Sequence, residues 1–175
     1  PALQRPVAMG ADIIMHSGTK YLDGQGRVMA GALCAPQQMI TEKFLPVLKS
    51  GGMTLAPFNA WVVHKGLETL ELRAMKQSEN ALAVGRFLEG RVPKINHPGL
   101  ASHPQHNLAM QQMDACGSIF SFEVKDRAQA HALLDALQLI DISNNIGDSR
   151  SLMTHPASTT HYSVSAAARE EMGVT

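Results

Sequence analysis

The sequence predicts an α/β protein whose two parts are joined by a long helix. Strand-like and helix-like segments alternate both before and after residues 58–90, and within that stretch apolar residues recur at roughly helical intervals. We therefore expect residues 1–52 to form the end of one α/β domain, residues 53–89 to form a connecting long helix, and residues 90–175 to form a smaller α+β domain.

The first third of the chain predicts two buried strands and a short helix. Residues 7–15, "VAMGADIIM", and residues 27–36, "RVMAGALCAP", are short apolar runs, and the "LDGQG" between them is typical of a turn. Apolar residues at three- and four-residue spacings predict a helix over residues 37–48, which Pro46 bends or caps early. Residues 50–52, "SGG", predict a flexible break.

One helix, kinked near Gly66, is expected over residues 58–90. Beyond it, residues 117–124, "GSIFSFEV", alternate as a half-buried strand does, and residues 127–140, "RAQAHALLDALQLI", have the pattern of an amphipathic helix.

Composition narrows the function class. The hydrophobic share of 45%, the charged share of 17% and the formal net charge of zero are typical of a soluble globular protein, without the basic patch that nucleic-acid binding requires. No apolar run is long enough to cross a bilayer, so we expect no membrane partner and a cytoplasmic location. Cys34 and Cys116 form neither a CxxC pair nor a disulfide framework, and we expect both to be buried thiols.

Eight histidines raise the possibility of a metal site, but their spacing does not support one. They include "HPGLASHPQH" at residues 97–106 and "HPASTTH" at residues 155–161, and neither segment matches a helix-borne HExxH or lies beside a cysteine pair. We expect these histidines to bond to the backbone of nearby turns, and we predict no metal. The glycines also do not fit a dinucleotide or Walker loop, and no GxSxG is present.

The segment "HSGTK", residues 16–20, is the strongest candidate for chemistry. In an extended backbone Ser17 and Thr19 face the same way, and Gly18 permits close approach, so two hydroxyls and nearby amides can hold a phosphate. Lys20 follows directly. A lysine reacts with an aldehyde only in its uncharged form, which partial burial favours, and pyridoxal phosphate carries both a phosphate and an aldehyde. On spacing alone, a surface lysine paired with an acid remains the other interpretation.

The wider segment "ADIIMHSGTKYLDGQGRVMAGAL" closely resembles the lysine segment of the Cys/Met-metabolism family of pyridoxal-phosphate enzymes, which carries S-x-T-K-[YF]-x-x-G. Further segments similar to this family follow in the same order: "PFNAWVVHKGLETLELR", "HPGLASHPQHNLAM", "GSIFSFEV" and "NIGDSRSLMTHPASTTH". The resemblance covers essentially the whole chain. It implies an aspartate-aminotransferase-like fold, type I among pyridoxal-phosphate-dependent transferases, with residues 1–52 belonging to the cofactor-binding large domain.

The resemblance also implies roles for individual residues. Lys20 would be linked to the cofactor and would later move protons, and Ser17 and Thr19 would bind the cofactor phosphate. Asn145 lies where lyases of the family have a serine that helps to bind the substrate carboxylate, and sulfhydrylases often have asparagine there. Asn145 therefore favours sulfhydrylation and is a candidate substrate-binding residue, although a simple turn asparagine is an equal alternative.

Within the family, the sequence is most similar to the sulfhydrylases that form homocysteine from O-succinylhomoserine or O-acetylhomoserine and sulfide, a step of methionine biosynthesis. Cystathionine γ-synthase and methionine γ-lyase activities are the alternatives, and a binding or assembly domain that keeps the fold without chemistry is a third. The implied partners are small-molecule substrates and further copies of the same chain in a homotetramer.

The resemblance further implies a chain truncated at both ends. The aspartate, tyrosine and glycine loop that contact the cofactor would precede Pro1, and the arginine that binds the substrate carboxylate would follow Thr175. We therefore expect these 175 residues alone to be inactive, and poorly soluble because residues 7–35 would have unpaired strand edges.

Overall fold

The computed structural model describes residues 2–174. After a 3₁₀ turn at Pro6–Met9, the hairpin strands β1 (Ile14–Ser17) and β2 (Gly31–Cys34) pair in antiparallel fashion, with Ser17 opposite Gly31. The helical turn Gly18–Leu22 follows β1 directly. In the described part of the chain β1 pairs only with β2, so each strand has one unpaired edge, as expected for residues 7–35.

The two predicted strands exist but are shorter and more exposed than expected. Residues 7–9 belong to a 3₁₀ turn rather than to a strand. Pro6 precedes them and Gly10, whose φ is +97°, follows them, and neither residue suits the interior of a strand. The prediction that these strands are buried was wrong, since Met15 is 80% and Leu33 is 50% exposed. A two-stranded sheet buries its side chains only where another layer covers it.

A helical segment then runs from residue 37 to residue 51 as α1 (Gln37–Met39), the π-helical stretch Ile40–Phe44 and α2 (Leu45–Gly51). This confirms the predicted helix and extends it by three residues. Pro46 has no N–H to donate to the preceding turn, and the wider π-helical turn lies directly before it.

The structure has two helices where one long helix was predicted: α3 (Pro57–Leu67) and α4 (Leu70–Leu88). The break follows the expected kink at Gly66. There the Arg73 guanidinium bonds to the Gly66 carbonyl at 2.7 Å and to the Thr69 hydroxyl at 3.0 Å, and so caps the end of α3 with a side chain.

The buried face of α4 is a stripe of small residues. Ala74, Ser78, Ala81 and Gly85 are buried along it, and Leu100, only 2% exposed, packs at 3.7 Å from the position a Gly85 Cβ would take. Small side chains let neighbouring segments approach the helix closely. By contrast Trp61 of α3, one of the apolar residues that recur at helical intervals over residues 58–90, is 58% exposed.

The remaining elements are short: β3 (Ile95–Asn96), α5 (His106–Gln112), β4 (Ser121–Phe122), α6 (Arg127–Asp135), β5 (Asp141–Ile142), β6 (Leu152–Met153) and α7 (Ala166–Glu171). β3 pairs antiparallel with β4, and β5 pairs parallel with β6. The strand predicted at 117–124 and the helix predicted at 127–140 are thus confirmed in type but are shorter than their patterns.

The histidine prediction is confirmed at three positions. His97, fully buried, accepts a hydrogen bond from the Gly99 amide at 3.0 Å, His103 accepts one from the Gln105 amide at 3.1 Å, and His106 lies 3.0 Å from the Pro98 carbonyl oxygen. Within residues 2–174 no three His, Cys, Asp or Glu side chains group as metal ligands.

The prediction of two buried thiols was wrong. Cys34 is exposed at the end of β2, and Cys116 is half-buried. Both are free thiols. Among the helices of the described chain, none is long and apolar enough to cross a membrane.

Candidate active site

The candidate lysine lies in a tight turn at the end of β1. The backbone amides of Gly18 and Thr19 both donate to the Ala30 carbonyl, at 2.8 and 3.3 Å, and so fix the turn to the residue that precedes β2. Lys20 has φ −94° and ψ −120°, which interrupts the helical path of Gly18–Leu22. Its half-buried side chain therefore leaves the turn in a direction that a regular helix would not give it.

The two hydroxyls of "HSGTK" have different surroundings. The Thr19 Oγ1 accepts from the Ala30 amide at 3.1 Å and lies 3.4 Å from the Ala30 carbonyl oxygen, whereas the Ser17 side chain is exposed. The expectation that both face the same way assumed an extended backbone, but β1 ends at Ser17. The amides of Gly18 and Thr19 are already bonded, so any phosphate held here depends mainly on the hydroxyls.

A second segment, residues 143–150, meets the lysine turn. The Lys20 Nζ lies 3.5 Å from Asn145 Oδ1, the outer limit of a hydrogen bond. Gly147, with φ +81°, is required at this contact, because a Cβ there would lie 2.7 Å from the Tyr21 ring and 2.8 Å from its backbone nitrogen. The structure thus brings Asn145 and Lys20 together across 125 positions of sequence.

A buried carboxylate supports this segment. Asp148 is 6% exposed. Its carboxylate accepts hydrogen bonds from the Arg150 backbone amide at 2.9 Å, from the Arg150 Nε at 3.2 Å and from the Asn145 Nδ2 at 3.1 Å. The hydrogen bonds from the Arg150 side chain outweigh the effect of burial and lower the pKa of Asp148 to about 2. Asp148 therefore carries a full negative charge near neutral pH.

Two further arginines fix the backbone of the lysine turn. The Arg73 Nη1 donates to the Tyr21 carbonyl at 3.0 Å, and burial lowers the pKa of this guanidinium from its ordinary value. Arg27 donates to the carboxylate of Asp23, which is 1% exposed, through its amide at 2.6 Å and its Nε at 2.8 Å. Burial alone would raise the pKa of Asp23, but these hydrogen bonds lower it below its ordinary value.

An open cleft of about 330 Å³ lies between the turn and the second segment. It is bordered by polar and charged residues from both, among them Thr19, Arg27, Asn145, Asp148 and Arg150. Lys20 itself does not line the cleft, but its amine lies 3.5 Å from Asn145, which does. An amine, an amide and a hydroxyl so close together are suited to a reaction in which an amine bonds a carbonyl and then moves a proton.

The sequence singled out Lys20, Thr19 and Asn145 as candidates, and these roles stay predictions; the residues that hold them in place were missed. Asp148 stood in the segment "NIGD" with a basic residue two positions later, and that spacing was the available signal for the pair with Arg150. Arg73 had no local signal, because its contact with Tyr21 depends on how α4 packs.

Comparison with known proteins gives the family. A sequence profile described as "Cys/Met metabolism PLP-dependent enzyme" matches residues 1–175. O-succinylhomoserine sulfhydrylase of Pseudomonas aeruginosa is 42% identical over 99% of this chain and 44% of its own length. L-methionine gamma-lyase of Treponema denticola is 41% identical over 92% of this chain and 41% of its own.

Solved structures give the fold. Cystathionine gamma synthase of Xanthomonas oryzae superposes with a TM-score of 0.93 at 37% identity, over 100% of this chain and 46% of that one. The chain thus spans less than half the length of the relatives and structures it matches here.

Proposed function

We propose that the protein carrying this chain replaces the γ-substituent of an activated homoserine by sulfide. The chain belongs to the Cys/Met-metabolism family of pyridoxal-phosphate-dependent enzymes. The fold is that of the type I pyridoxal-phosphate enzymes. In the proposed reaction O-succinylhomoserine and hydrogen sulfide give homocysteine and succinate, and O-acetylhomoserine is the alternative ester. The observation that carries the proposal is the position of the Lys20 amine 3.5 Å from Asn145, a residue that lines the cleft.

The residues of the cleft fit the cofactor in part. Lys20 is half-buried, and among the described residues its amine makes one hydrogen bond, at 3.5 Å, so it is available for bond formation. The exposed Ser17 hydroxyl can donate to a phosphate. Thr19 Oγ1 can do so by turning its proton from the Ala30 carbonyl, which is 3.4 Å away, while it still accepts from the Ala30 amide.

Pyridoxal phosphate, when bound, supplies an aldehyde for the lysine amine and a ring that accepts electrons from the substrate. We propose that the Lys20 Nζ, once released by the substrate amine, takes the proton from the substrate Cα, returns that proton to another atom of the bound substrate and cofactor, and, neutral again, takes a proton from Cβ. The partial burial of Lys20 reduces the contact of its side chain with bulk water. We propose that Asn145 helps to bind the substrate carboxylate.

One feature favours sulfhydrylation over its alternatives: by its resemblance to the family, Asn145 lies where sulfhydrylases often have asparagine. Similar proteins at 40–42% identity are O-succinylhomoserine sulfhydrylases, but L-methionine gamma-lyase of Treponema denticola is 41% identical, so identity alone does not separate the reactions. Cystathionine γ-synthase activity, which uses cysteine as the thiol, and methionine γ-lyase activity remain the competing proposals, because relatives and structures with those names match as well.

The test is a substrate matrix applied to the purified protein that carries these residues. O-succinylhomoserine and O-acetylhomoserine are each supplied with sulfide or with cysteine, and methionine is supplied alone, with products measured by mass spectrometry. Homocysteine as the main product supports the proposal. Cystathionine as the main product, or methanethiol from methionine, would replace it by the corresponding alternative.

A lysine variant tests the mechanism separately. Lys20→Ala is expected to abolish turnover and the visible absorption of covalently linked cofactor, with the circular dichroism unchanged. Lys65→Ala, which removes an exposed lysine on α3, is the control. Normal turnover in Lys20→Ala would refute the assigned role. We also propose a cytoplasmic homotetramer, and the measured mass in solution tests its oligomeric state.

A further inference from the structure

A network of hydrogen bonds lies on the side of Asn145 away from Lys20, centred on the carboxylate of Asp148. Asp148 accepts four of them: Arg150 donates through its amide and Nε to Oδ1 and through Nη2 to Oδ2 at 3.3 Å, and Asn145 donates through Nδ2 to Oδ2 at 3.1 Å. Every partner is a donor. Such a set of partners is satisfied only by an ionised carboxylate, which accepts and does not donate.

The carboxylate decides which way the Asn145 amide points. The two ends of an amide have the same shape, so their hydrogen-bond partners determine the orientation. Because Asp148 can only accept, the Nδ2 of Asn145 must face it, and Oδ1 is left facing Lys20 Nζ at 3.5 Å. The amine of Lys20 therefore meets an acceptor. With the amide reversed, it would meet a second N–H donor.

The positions of these groups are fixed from several sides. The Gln77 Nε2 donates to the Asp148 carbonyl at 2.9 Å, and the Arg150 Nη1 bonds to Asp141 Oδ2 at 3.1 Å. Gly26 lies over the pair so closely that a Cβ there would be 2.9 Å from Asn145 Nδ2 and 3.3 Å from Asp148 Oδ2. The amide thus has little freedom to move away from the carboxylate.

We propose that Asp148 is a positioning residue, which holds the Asn145 amide with its oxygen toward Lys20 and thereby sets the position of the lysine amine beside Asn145. This inference rests on the role proposed for Lys20. It assigns to Asn145 a contact with the lysine as well as the proposed contact with the substrate, which its second N–H remains able to make.

Asp148→Asn is the decisive change. The new amide must keep its oxygen toward the Arg150 backbone amide and Nε, so its NH₂ faces Asn145. Two donors would then meet, and Asn145 is expected to reverse and turn its own NH₂ toward Lys20. Asp141→Asn is the matched control, because it removes the second carboxylate that bonds to Arg150. The Asp141 side chain is 56% exposed, and it bonds to Arg150 rather than to Asn145.

The first readout needs no substrate. Cofactor-stripped protein is treated with pyridoxal phosphate and borohydride, and the rate of labelling at Lys20 is measured by mass spectrometry. Asp148→Asn is expected to slow labelling of Lys20 by about 10- to 100-fold, the effect of misplacing a reacting group by about an ångström. Asp141→Asn is expected to stay within about twofold of the wild type, as is usual when an exposed ion pair is removed.

Asn145→Leu supplies a second test if Asp148→Asn fails to fold. It removes the amide at similar volume and is expected to slow labelling as much, whereas a residue that only binds substrate would raise KM and leave labelling unchanged. Adding Asp148→Asn to Asn145→Leu is expected to cost nothing more, since the effect passes through the amide.

Wild-type labelling of Lys20 in either single variant, or additive losses in the double variant, would overturn the inference. Absence of sulfhydrylase activity with these labelling losses intact would refute the proposed reaction alone.

Discussion

The buried Asp148 makes a specific contribution to stability that depends on pH. Its pKa of about 2, against an ordinary value of 3.8, corresponds to about 2.5 kcal/mol of stabilisation of the folded state when the group is ionised. Because the pKa is lower in the folded protein, this stabilisation is fully present above the ordinary pKa. It is lost as the pH falls from about 4 through 2.

Asp148→Asn removes this contribution at every pH. The wild type should exceed the variant by about 2 to 3 kcal/mol in free energy of unfolding at pH 7, and the difference should shrink below pH 4 as Asp148 itself becomes protonated. Other carboxylates also titrate in this range, among them Asp23, whose pKa is lowered as well. These carboxylates are present in both proteins, so their effect cancels in the difference between the two free energies of unfolding.

The assay is urea unfolding of the cofactor-free protein, followed by circular dichroism at pH 7, 5, 4 and 3. Asp141→Asn again serves as the control, and its exposed ion pair is expected to contribute no more than about 1 kcal/mol. A difference between wild type and Asp148→Asn that stays constant from pH 7 to pH 3 would refute the reasoning, because it would mean that the ionised state of Asp148 does not stabilise the fold.

Three further substitutions probe the lysine turn. Gly66→Ala is expected to destabilise the protein by about 1 to 3 kcal/mol, seen as a lower melting temperature, because its Cβ would overlap the Leu22 carbonyl; an unchanged melting temperature contradicts this packing. Thr19→Val leaves the Ala30 amide without its acceptor, so we expect weaker cofactor retention in dialysis and a loss of about 1 to 2 kcal/mol in the free energy of unfolding. Thr19→Ser keeps the hydroxyl and is the control, with cofactor retention and stability close to the wild type. Tyr21→Phe removes a 2.6 Å hydrogen bond to the segment before β4 and should cost about 1 kcal/mol in urea unfolding, and equal stability would show that water replaces it.

Local patterns predicted the elements better than their burial. The runs at 7–15 and 27–36 contain strands because their β-branched and apolar residues favour extended backbone, but periodicity says nothing about which layer covers a sheet. In the same way Trp61 has helical spacing yet is exposed, while the buried residues of α4 after Leu70 are alanine, serine and glycine, which a search for large apolar residues overlooks.

In the candidate site, too, local features could be predicted from the sequence, whereas contacts between distant segments could not. Lys20 and its neighbours were predictable because one short segment carries them. The meeting of Lys20 with Asn145, and the part played by Asp148, required the fold, since 125 positions separate the lysine from the amide. Which backbone amides are free to bind a phosphate also depends on the fold: only the pairing of the turn with Ala30 shows that the Gly18 and Thr19 amides are already bonded.

The contacts of the lysine turn explain how one residue can both bond to a cofactor and move protons. Three separate segments hold the backbone of the turn: Ala30 beside β2, Arg73 of α4 through the Tyr21 carbonyl, and Ser149, whose amide donates to the Gly24 carbonyl at 2.8 Å. Among the described residues the Lys20 amine, by contrast, makes one hydrogen bond, of 3.5 Å. The fixed backbone and the Asn145 oxygen together set where the amine rests. Because this bond is long, the amine can leave that position at little cost, so the turn gives Lys20 a defined range of movement between its two proposed tasks.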